Sequence, residues 1–595
     1  MADVPARPAA DHPRPTFART RWTSLDGTWE FTEGASSDAP LTWEFDRTIE
    51  VPFPPESAAS GLGLERCDHP RYRRAFDLVD LAPAPGERVL LHCEAVDHAA
   101  RVWVDGQFVG GHQCGYTPFT LDITHALGAG PDHEIVLAAD DPARDMEVPR
   151  GKQDWHDQPH AIWYGRSSGI WRSVWLEVVP AVCLASVAWT TRDTFGTLHG
   201  LVRLEGWSEE DELTVEVSFA CEGTDLGTVT ATASAALVEL TARLGKAAHA
   251  DTPLLYWTPD LPMLIDTRLR LLRGGEVLDE VTGYTGLRTF AVRDGVVELN
   301  GVAVFSRLVL EQAYWPDTHF TAPSPDALRA EAELIKGLGF NGLRMHQASA
   351  DPRFLRACDE VGLMVWADVP AAYLHTPRAT ALLTSTLTEL IARDRNHPSV
   401  VAWVPYNESW GVFGVADDPA QQAAVRAAYW LAKTLDPSRL AIGNDGWENV
   451  VGDLVGVHDY THDPAVLAAR YGSPDAVATT LRGVRPGGKP LLTSPDAARP
   501  GVLLSEFGGV TLRRSEESWG YGEVTSAEAL VAAVEGLVAE LGPASGLVGF
   551  CWTQLTDCLQ EQNGLAWPDR TPKAPLADLR AAISPPAAGL PSLQN

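Results

Sequence analysis

Hydrophobic and polar positions alternate in short runs over about the first 290 residues. The runs RVWVDG, EIVLAAD and LTVEVSF alternate with a period close to two, and glycine or aspartate turns separate such runs. This pattern is typical of antiparallel strands that bury one face, so it predicts β-sandwiches. A natural break falls at Pro180, and we place one sandwich at residues 1–182 and a second at 183–288.

Beyond this point, longer apolar runs alternate with stretches of helical periodicity. Eight strands joined by crossovers in about 300 residues fit a (β/α)8 TIM barrel, which we predict for residues 289–595. An open, doubly wound sheet is the alternative. The eight predicted strands are residues 303–310, 340–345, 363–369, 399–408, 439–445, 454–460, 502–508 and 547–554.

The predicted helices are marked by their ends as well as by their periodicity. Residues 324–339, 352–362, 382–396 and 419–436 are helical stretches, and several begin near Ser, Thr or Asp or stop at Gly. Such side chains cap the free N–H groups of a first turn, and glycine readily ends a helix. Between the sixth and seventh strands only residues 464–472 are helical, and a long Gly/Pro-rich loop is expected after them.

Two glutamates end the predicted fourth and seventh strands. The run SVVAWVPYNESW is apolar until it reaches Asn407 and Glu408, and VLLSEFG carries Glu506. The C-terminal strand ends form the active face of such a barrel, and these two strands lie across the mouth from each other. Hydrolysis of an acetal needs one neutral acid and one carboxylate anion. Either glutamate alone is also explained as a strand-end group bonded to a loop, but the pair predicts a glycosidase.

Further polar and aromatic residues gather at the same strand ends. A guanidinium beside one carboxylate would lower its pKa, whereas the catalytic acid needs a less polar setting that raises its pKa. A histidine or aspartate at a strand end is explained equally well as a satisfied buried group. The additional candidate site residues are Arg344, His346, Asp368, Trp410, His458, Tyr460 and Trp552.

Composition narrows the class of protein. The 47 basic and 79 acidic residues give a net charge of −32, which disfavours nucleic acid and anionic membranes as partners. The eight cysteines are scattered, and no Asp/Glu/His spacing marks a metal site, so we expect no disulfides, no metal and no other cofactor. The polar, Pro-rich start has no signal-peptide pattern, so we expect a cytoplasmic protein. Whether it forms a homo-oligomer stays open.

Several motifs resemble the glycoside hydrolase family 2 enzymes, which include β-galactosidases, β-glucuronidases and β-mannosidases. GYTPFTLDIT and SSGIWRSVWLEVV are similar to the N-terminal jelly-roll domain of that family, and GFNGLRMHQ to its second barrel strand. RNHPSVVAWVPYNE resembles its acid/base segment, and VLLSEFGG its nucleophile segment. The resemblance covers nearly the whole chain. It implies a jelly-roll sandwich, an immunoglobulin-like sandwich and a catalytic barrel.

The same resemblance implies roles for individual residues. Glu408 would be the general acid/base, and Glu506 the nucleophile that forms a covalent glycosyl-enzyme. Asn407 would bond the 2-hydroxyl of the sugar. Arg344 would hold Glu506 ionised, and Tyr460 would donate a hydrogen bond to it.

Two segments depart from the pattern of the family. MHQA stands at residues 345–348, where many members have Ser-His-Tyr-Pro, and LVLEQAYWPD replaces a segment with Gly-x-Asn followed by His and an acid. These loops shape the pocket for the terminal sugar, so the identity of the sugar does not transfer. Variants of this kind occur among members labelled β-galactosidase and among some that resemble galactofuranosidases.

The resemblance implies a retaining exo-β-glycosidase with a carbohydrate substrate. A β-galactosidase-like activity on a galactopyranoside or galactofuranoside is favoured. A β-mannosidase or a β-glucuronidase is the alternative within the family; the latter needs cationic groups for a carboxylate, for which Arg513 and Arg514 are the candidates. A non-catalytic carbohydrate-binding protein is the alternative outside the enzyme class.

Overall fold

A computed structural model describes residues 5–34, 43–244, 255–483, 485–492, 501–514 and 519–584. It contains two β-sandwiches followed by a nearly closed parallel barrel, and the predicted fold class is confirmed. All eight cysteines are unpaired and buried. Among these residues, no helix has the length and apolar character needed to cross a membrane.

The N-terminal sandwich contains a six-stranded and a four-stranded antiparallel sheet. Alternate side chains such as Val102 and Val104 enter a shared core, because successive residues of a strand face opposite sides. A short pair joins Val96–Asp97 to Gly169–Ile170. In spatial order the larger sheet contains Arg47–Val51, Gly27–Glu33, Pro70–Asp77, Asp132–Asp140, Ala99–Val104 and Gln107–Gln113, and the smaller contains Trp22–Ser24, Val174–Val179, Arg88–Cys93 and Phe119–Asp122.

The second sandwich has its own apolar core, which includes Trp189 and Phe219. Its three-stranded sheet contains Cys183–Thr191, Thr197–Glu205 and Leu237–Arg243, and its four-stranded sheet contains Thr224–Thr232, Leu213–Cys221, Ile265–Arg273 and Glu276–Thr285. A small sheet of Phe290–Arg293, Val296–Leu299 and Val302–Ala303 precedes the barrel. The domain boundaries after residues 182 and 288 stay predictions.

Eight parallel strands form the barrel. The first strand pairs with both the second and the eighth, so the sheet turns back on itself and the open-sheet alternative is wrong. In the described chain the ladder is interrupted between the fifth and sixth strands. The strands are almost wholly buried, since side chains fill the barrel and helices cover it. They are Ser306–Glu311, Gly342–Met345, Met364–Asp368, Val400–Val404, Leu440–Ala441, Leu454–Asp459, Gly501–Gly508 and Gly549–Thr553.

Seven of the eight helices described around the barrel begin at a capping side chain. Ser324, for example, accepts a hydrogen bond from the backbone N–H of Ala327, which the first turn leaves unpaired. Six of the seven also begin with proline, which needs no N–H at that position. The helices are Pro325–Gly337, Pro352–Val361, Pro377–Asp394, Pro419–Leu435, Pro464–Tyr471, Pro474–Arg482, Ala527–Ala539 and Leu576–Ile583.

The expected loop after the sixth strand is partly wrong, because it contains the helix Pro474–Arg482. Ser473 caps this helix and Val477 buries its apolar side, whereas the β-branched residues in VATTLR weaken the helical signal in the sequence. Residues 493–500 of the expected loop lie outside the described residues.

The fourth and fifth strands are shorter than predicted. Pro405 has no N–H to donate, and the fourth ladder stops before it. Beyond the stop, Tyr406–Asn407 pairs with Asn444–Asp445 in a separate two-stranded ladder. This second ladder places polar residues at the mouth of the barrel.

Asp359 links the second sandwich to the barrel. Its carboxylate accepts hydrogen bonds from the Tyr284 hydroxyl at 2.9 Å and from the Ser399 N–H at 2.8 Å, and it lies 2.6 Å from Nδ1 of His397. Its backbone carbonyl accepts from the Trp257 indole at 2.8 Å. One buried residue therefore contacts donors from three segments, two through its carboxylate and one through its backbone carbonyl.

We predict that Asp359→Ala lowers the free energy of unfolding by about 3 kcal/mol, because it leaves several buried donors without an acceptor. The variant should melt at a lower temperature in a thermal scan. Glu535→Ala, which removes an exposed carboxylate from a helix, should leave the melting temperature nearly unchanged. Equal melting temperatures for the two variants would contradict this role of Asp359.

Candidate active site

Arg344 is the central cation at the mouth of the barrel. It lies on the second strand with a fully buried side chain. Its guanidinium makes two 3.0 Å contacts with the Asp368 carboxylate. One Nη1 atom lies 2.7 Å from Asp445 and 3.2 Å from Glu506. A single positive charge thus holds three carboxylates from the third, fifth and seventh strand ends.

Glu506 lies on the seventh strand, where the ladder shifts register between Leu504 and Phe507. Such a bulge redirects the side chains next to it. The buried carboxylate accepts hydrogen bonds from Arg344 at 3.2 Å and from the Tyr460 hydroxyl at 2.6 Å. Two donors therefore fix its orientation.

Glu408 follows the fourth strand in a left-handed backbone conformation. Its φ is +50° and that of Ser409 is +58°, which is uncommon for residues other than glycine. Hydrogen bonds maintain this turn: the Glu408 N–H donates to Asp445 O at 3.0 Å, and the Ser409 N–H donates to the Asn444 side chain at 3.0 Å. An oxygen of Glu408 and one of Glu506 lie within 4.8 Å of each other.

His458 lies between the two glutamates. Its Nδ1 is 2.7 Å from Glu408, and its Nε2 is 3.4 Å from Glu506 and 3.3 Å from Asp445. Burial opposes protonation, and so does Arg344, 3.3 Å away, but the three carboxylates outweigh both. They raise the pKa of His458 to about 10. His458 is therefore a second buried cation at neutral pH.

The pKa directions of the two glutamates are opposite to those expected from the sequence. Burial by itself would raise the pKa of Glu408, but the hydrogen bond and charge of His458 outweigh it, and the pKa is lowered. Burial raises the pKa of Glu506, and the charge of Glu408 adds to it, against His458 and Arg344. Arg344 does act to lower the pKa of Glu506, as expected, but burial and the charge of Glu408 outweigh it.

Three more predicted residues join this network. Asn407 accepts a hydrogen bond from Arg344 at 2.7 Å, while its buried amide nitrogen has no partner in the described residues. Asp368 also lies 2.9 Å from Nδ1 of His346. Burial raises the pKa of Asp368 to about 6 although Arg344 opposes this, and burial lowers the pKa of His346.

The predicted aromatic residues line the same region. Trp410 packs against Tyr373 at 5.5 Å and Trp163 at 6.2 Å between ring centroids. Tyr460 stacks on Tyr521 at 3.6 Å. Trp552 is fully buried against Phe507, and its indole N–H has no partner among the described residues.

The sequence did not single out three residues that the fold brings to this region. Asp445 stands at a predicted strand end, but no motif distinguishes it from its neighbours. Lys152 and Trp163 belong to the N-terminal sandwich and lie more than 180 residues before the nearest of the predicted site residues. Sequence patterns carry no distance between separate domains, so no local signal could have found these two.

Three groups of potential metal ligands have their ligand atoms within 4.8 Å of one another. In each group a histidine nitrogen also lies within 3.4 Å of a carboxylate, and this contact accounts for the proximity. The groups are His112, Cys114 and Glu389; Asp154, His156 and His160; and Glu408, His458 and Glu506.

A parallel barrel behind two sandwiches, with paired carboxylates across its mouth, is the architecture of a glycosidase. Residues 22–180 match the sugar-binding domain of glycosyl hydrolases family 2, and residues 290–470 match the TIM barrel domain of that family. The chain belongs to glycoside hydrolase family 2.

Individual relatives carry different activity names. The chain is 29% identical to a β-galactosidase of Thermoanaerobacter pseudethanolicus over 54% of this chain and 43% of the relative. It is 30% identical to a putative β-glucuronidase of Formosa agariphila over 59% of this chain and 41% of the relative. It therefore spans less than half the length of these two relatives.

The fold is also similar to that of a Bifidobacterium dentium β-glucuronidase. The TM-score is 0.75 at 21% identity, over 96% of this chain and 98% of the other. At this identity the likeness concerns the fold.

We predict a pH-dependent loss of stability in His458→Gln. The folded-state pKa of about 10 lies above the ordinary 6.5, so the folded protein binds the extra proton between these values. The stabilisation is complete below pH 6.5 and is lost as the pH rises through 10. The difference in melting temperature between the native protein and the variant should therefore shrink from pH 6.5 to 10.

Thermal scans across this pH range measure the difference. His125→Gln, at an exposed position, provides the matched control and should show no such trend. A difference for His458→Gln that is constant with pH would exclude a buried imidazolium.

Proposed function

We propose that the protein is a retaining exo-β-glycosidase in which Glu506 is the nucleophile and Glu408 the general acid/base. The observation that carries the proposal is that one oxygen of Glu408 and one of Glu506 lie within 4.8 Å of each other. Retaining glycosidases hold them ~5–5.5 Å apart, whereas inverting enzymes need ~6.5–9.5 Å to admit a water molecule. A proton NMR time course should show the β-anomer as the first product.

The first step breaks the glycosidic bond. A Glu506 oxygen attacks the anomeric carbon, and Glu408 gives a proton to the leaving oxygen, so that an ester and a free alcohol form. Because His458 lowers the pKa of Glu408, this carboxylate must gain a proton before it can act as an acid. Nδ1 of His458 lies 2.7 Å from the Glu408 carboxylate and would supply this proton as Glu506 loses its charge to the ester.

The second step releases the sugar. Glu408, now a carboxylate, removes a proton from a water molecule that attacks the anomeric carbon, and Glu506 leaves as a carboxylate. Arg344 and Tyr460 contact Glu506 at 3.2 and 2.6 Å, and they stabilise the charge that returns to it. Glu408 therefore acts as an acid in the first step and as a base in the second. Glu506 is the nucleophile in the first step and the leaving group in the second.

The surrounding residues would hold the sugar. Asn407 has a buried amide N–H group without a partner in the described residues, which suits it to donate to the 2-hydroxyl. His346 and Asp368 would contact neighbouring hydroxyls, and Trp552 would form the floor. The Trp163 indole donates to the Tyr373 hydroxyl at 2.6 Å, and these two aromatic residues would form one wall of the sugar site.

For the terminal sugar, the candidate classes are the galactosides and the glucuronides. The sequence favours a galactoside, and the names of the relatives include both β-galactosidase and putative β-glucuronidase. A panel of 4-nitrophenyl β-glycosides, including the galactofuranoside, separates these options. No turnover of any member would favour the non-catalytic carbohydrate-binding alternative.

We predict that Glu506→Gln lowers turnover by roughly four orders of magnitude or more, because the neutral amide cannot form the ester. The measurement is initial hydrolysis of whichever 4-nitrophenyl glycoside the native protein cleaves best. Glu528→Gln, at an exposed position, should retain native turnover. Substantial activity in Glu506→Gln would contradict its role as nucleophile.

We predict that the effect of Glu408→Ala depends on the leaving group. Formation of the glycosyl-enzyme from an alkyl glycoside should slow about 10²- to 10⁴-fold, the usual contribution of a general acid. A dinitrophenyl glycoside needs no protonation and should react at nearly the native rate in this step.

Added azide should restore turnover of Glu408→Ala on the dinitrophenyl substrate and yield a β-glycosyl azide, since azide attacks without a general base. Asp417→Ala removes an exposed carboxylate from the same loop and should behave like the native protein. An equal loss on every leaving group would rule out acid catalysis by Glu408.

A further inference from the structure

Lys152 enters the site from a loop of the N-terminal sandwich that is docked tightly on the barrel. The Arg150 N–H donates to Ala371 O at 2.9 Å, and Gly151 O accepts from the Tyr373 hydroxyl at 2.8 Å. At Gly151 the φ is +56°, and a β-carbon would lie 1.9 Å from the carbonyl oxygen of Gln347. Only glycine permits this approach, so the backbone that carries Lys152 is fixed against the mouth.

The Lys152 ammonium has an incomplete environment. The residue is 4% exposed, and Nζ lies 5.6 Å from the ring centroids of both Tyr164 and Trp410. Its charge acts on Glu408 and His346, which places it beside the pocket. In the described part of the chain, no side chain or carbonyl forms a hydrogen bond or ion pair with Nζ.

The Lys152 side chain is almost wholly buried, yet no described residue completes the hydrogen bonds of its ammonium. The two aromatic faces attract the charge but accept no conventional hydrogen bond. An oxygen anion supplied by a ligand would complete the environment.

We propose that Lys152 binds the carboxylate of a hexuronic acid, so that the sugar cleaved is a β-linked galacturonide or glucuronide. This inference rests on the proposed glycosidase function and goes beyond it by naming the class of sugar. A galacturonide has the galacto configuration that the sequence favours, and it also carries the carboxylate that Lys152 requires.

Other cations near the mouth have different partners. Arg513 lies 2.9 Å from Glu523, Arg514 stacks on Trp567 at 3.6 Å, and Lys573 lies 2.5 Å from Asp557. The arginines that the sequence offered as a clamp for a carboxylate are thus engaged elsewhere. Lys152 is the cation whose geometry suits this role.

An acidic sugar also fits the proton requirement of the reaction. In the empty site the Lys152 charge helps to keep Glu408 ionised. A neutral sugar would leave that charge uncompensated beside the residue that must become an acid. A bound carboxylate would neutralise it and allow Glu408 to take up its proton.

The test compares Lys152→Met with the native protein on two matched pairs of 4-nitrophenyl β-D-pyranosides. The pairs are galacturonide with galactoside and glucuronide with glucoside. In one pair the native kcat/KM should favour the uronide by about 100-fold or more, because a site built for a buried ion pair discriminates strongly. Which pair shows the preference identifies the configuration.

In Lys152→Met, kcat/KM for that uronide should fall about 100-fold, while the value for the neutral partner changes by less than about 3-fold. Lys336→Met, at a lysine bound to Pro259 O and Gly362 O far from the mouth, should leave the preference intact. If Lys152→Met does not fold, as judged by its melting temperature, Lys152→Gln carries the test.

Two results would overturn the inference while leaving the proposed function in place. One is that the native protein prefers the neutral sugar of both pairs, with a turnover that Glu506→Gln abolishes. The other is an equal loss on both members of a pair in the Lys152 variant.

If the native protein cleaves none of these four glycosides, the wider panel that includes the galactofuranoside decides the proposed function, and calorimetry decides the inference separately. Binding of D-galacturonate or D-glucuronate that is lost in Lys152→Met supports a carboxylate site. No binding, or binding that Lys152→Met retains, overturns it.

Discussion

The site depends on the balance of charge around one buried arginine. Arg344 has no access to solvent, yet it holds Asp368, Asp445 and Glu506 within 3.2 Å. Three carboxylates gathered around one buried position would repel one another strongly without a shared cation. The barrel supplies that cation from its second strand, and His458 adds a further positive charge. The remaining contacts at the mouth of the barrel surround Arg344 and His458.

His458 links the two glutamates, so the state of one depends on the state of the other. Glu408 is held as an anion when the pocket is empty, although the proposed first step requires it as an acid. The substrate must therefore change the electrostatics as well as occupy the space. An acidic sugar bound by Lys152 is one physical means of doing so.

The sandwiches contribute to this chemistry by packing on the barrel. The loop that carries Lys152 is fixed by Gly151 against Gln347, and the Tyr164 hydroxyl donates to Glu561 at 2.6 Å. On the opposite side, Asp359 joins the second sandwich to the start of the fourth strand. Rigid contacts of this kind hold side chains from distant segments at fixed distances, which catalysis by positioning requires.

The sequence by itself determined the architecture and the pair of glutamates. Alternation with a period of two, followed by apolar runs and capped helices, is local information, and it placed all eight barrel strands within a few residues. Glu408 and Glu506 were found because each interrupts an apolar run at a strand tip. The helix Pro474–Arg482 was missed because its β-branched residues weaken the local signal and its stability comes from packing.

Only the tertiary structure decided the electrostatics and the contribution of the sandwiches. The pKa of Glu408 is lowered by His458 beside it, and the pKa of Glu506 is raised by burial and by the charge of Glu408. No spacing along the chain encodes these distances. The left-handed turn at Glu408 depends on hydrogen bonds to residues from the fifth strand region. Lys152 meets the site through contacts between domains. Local patterns fix which segments form strands and helices, whereas burial and charge depend on which segments meet in space.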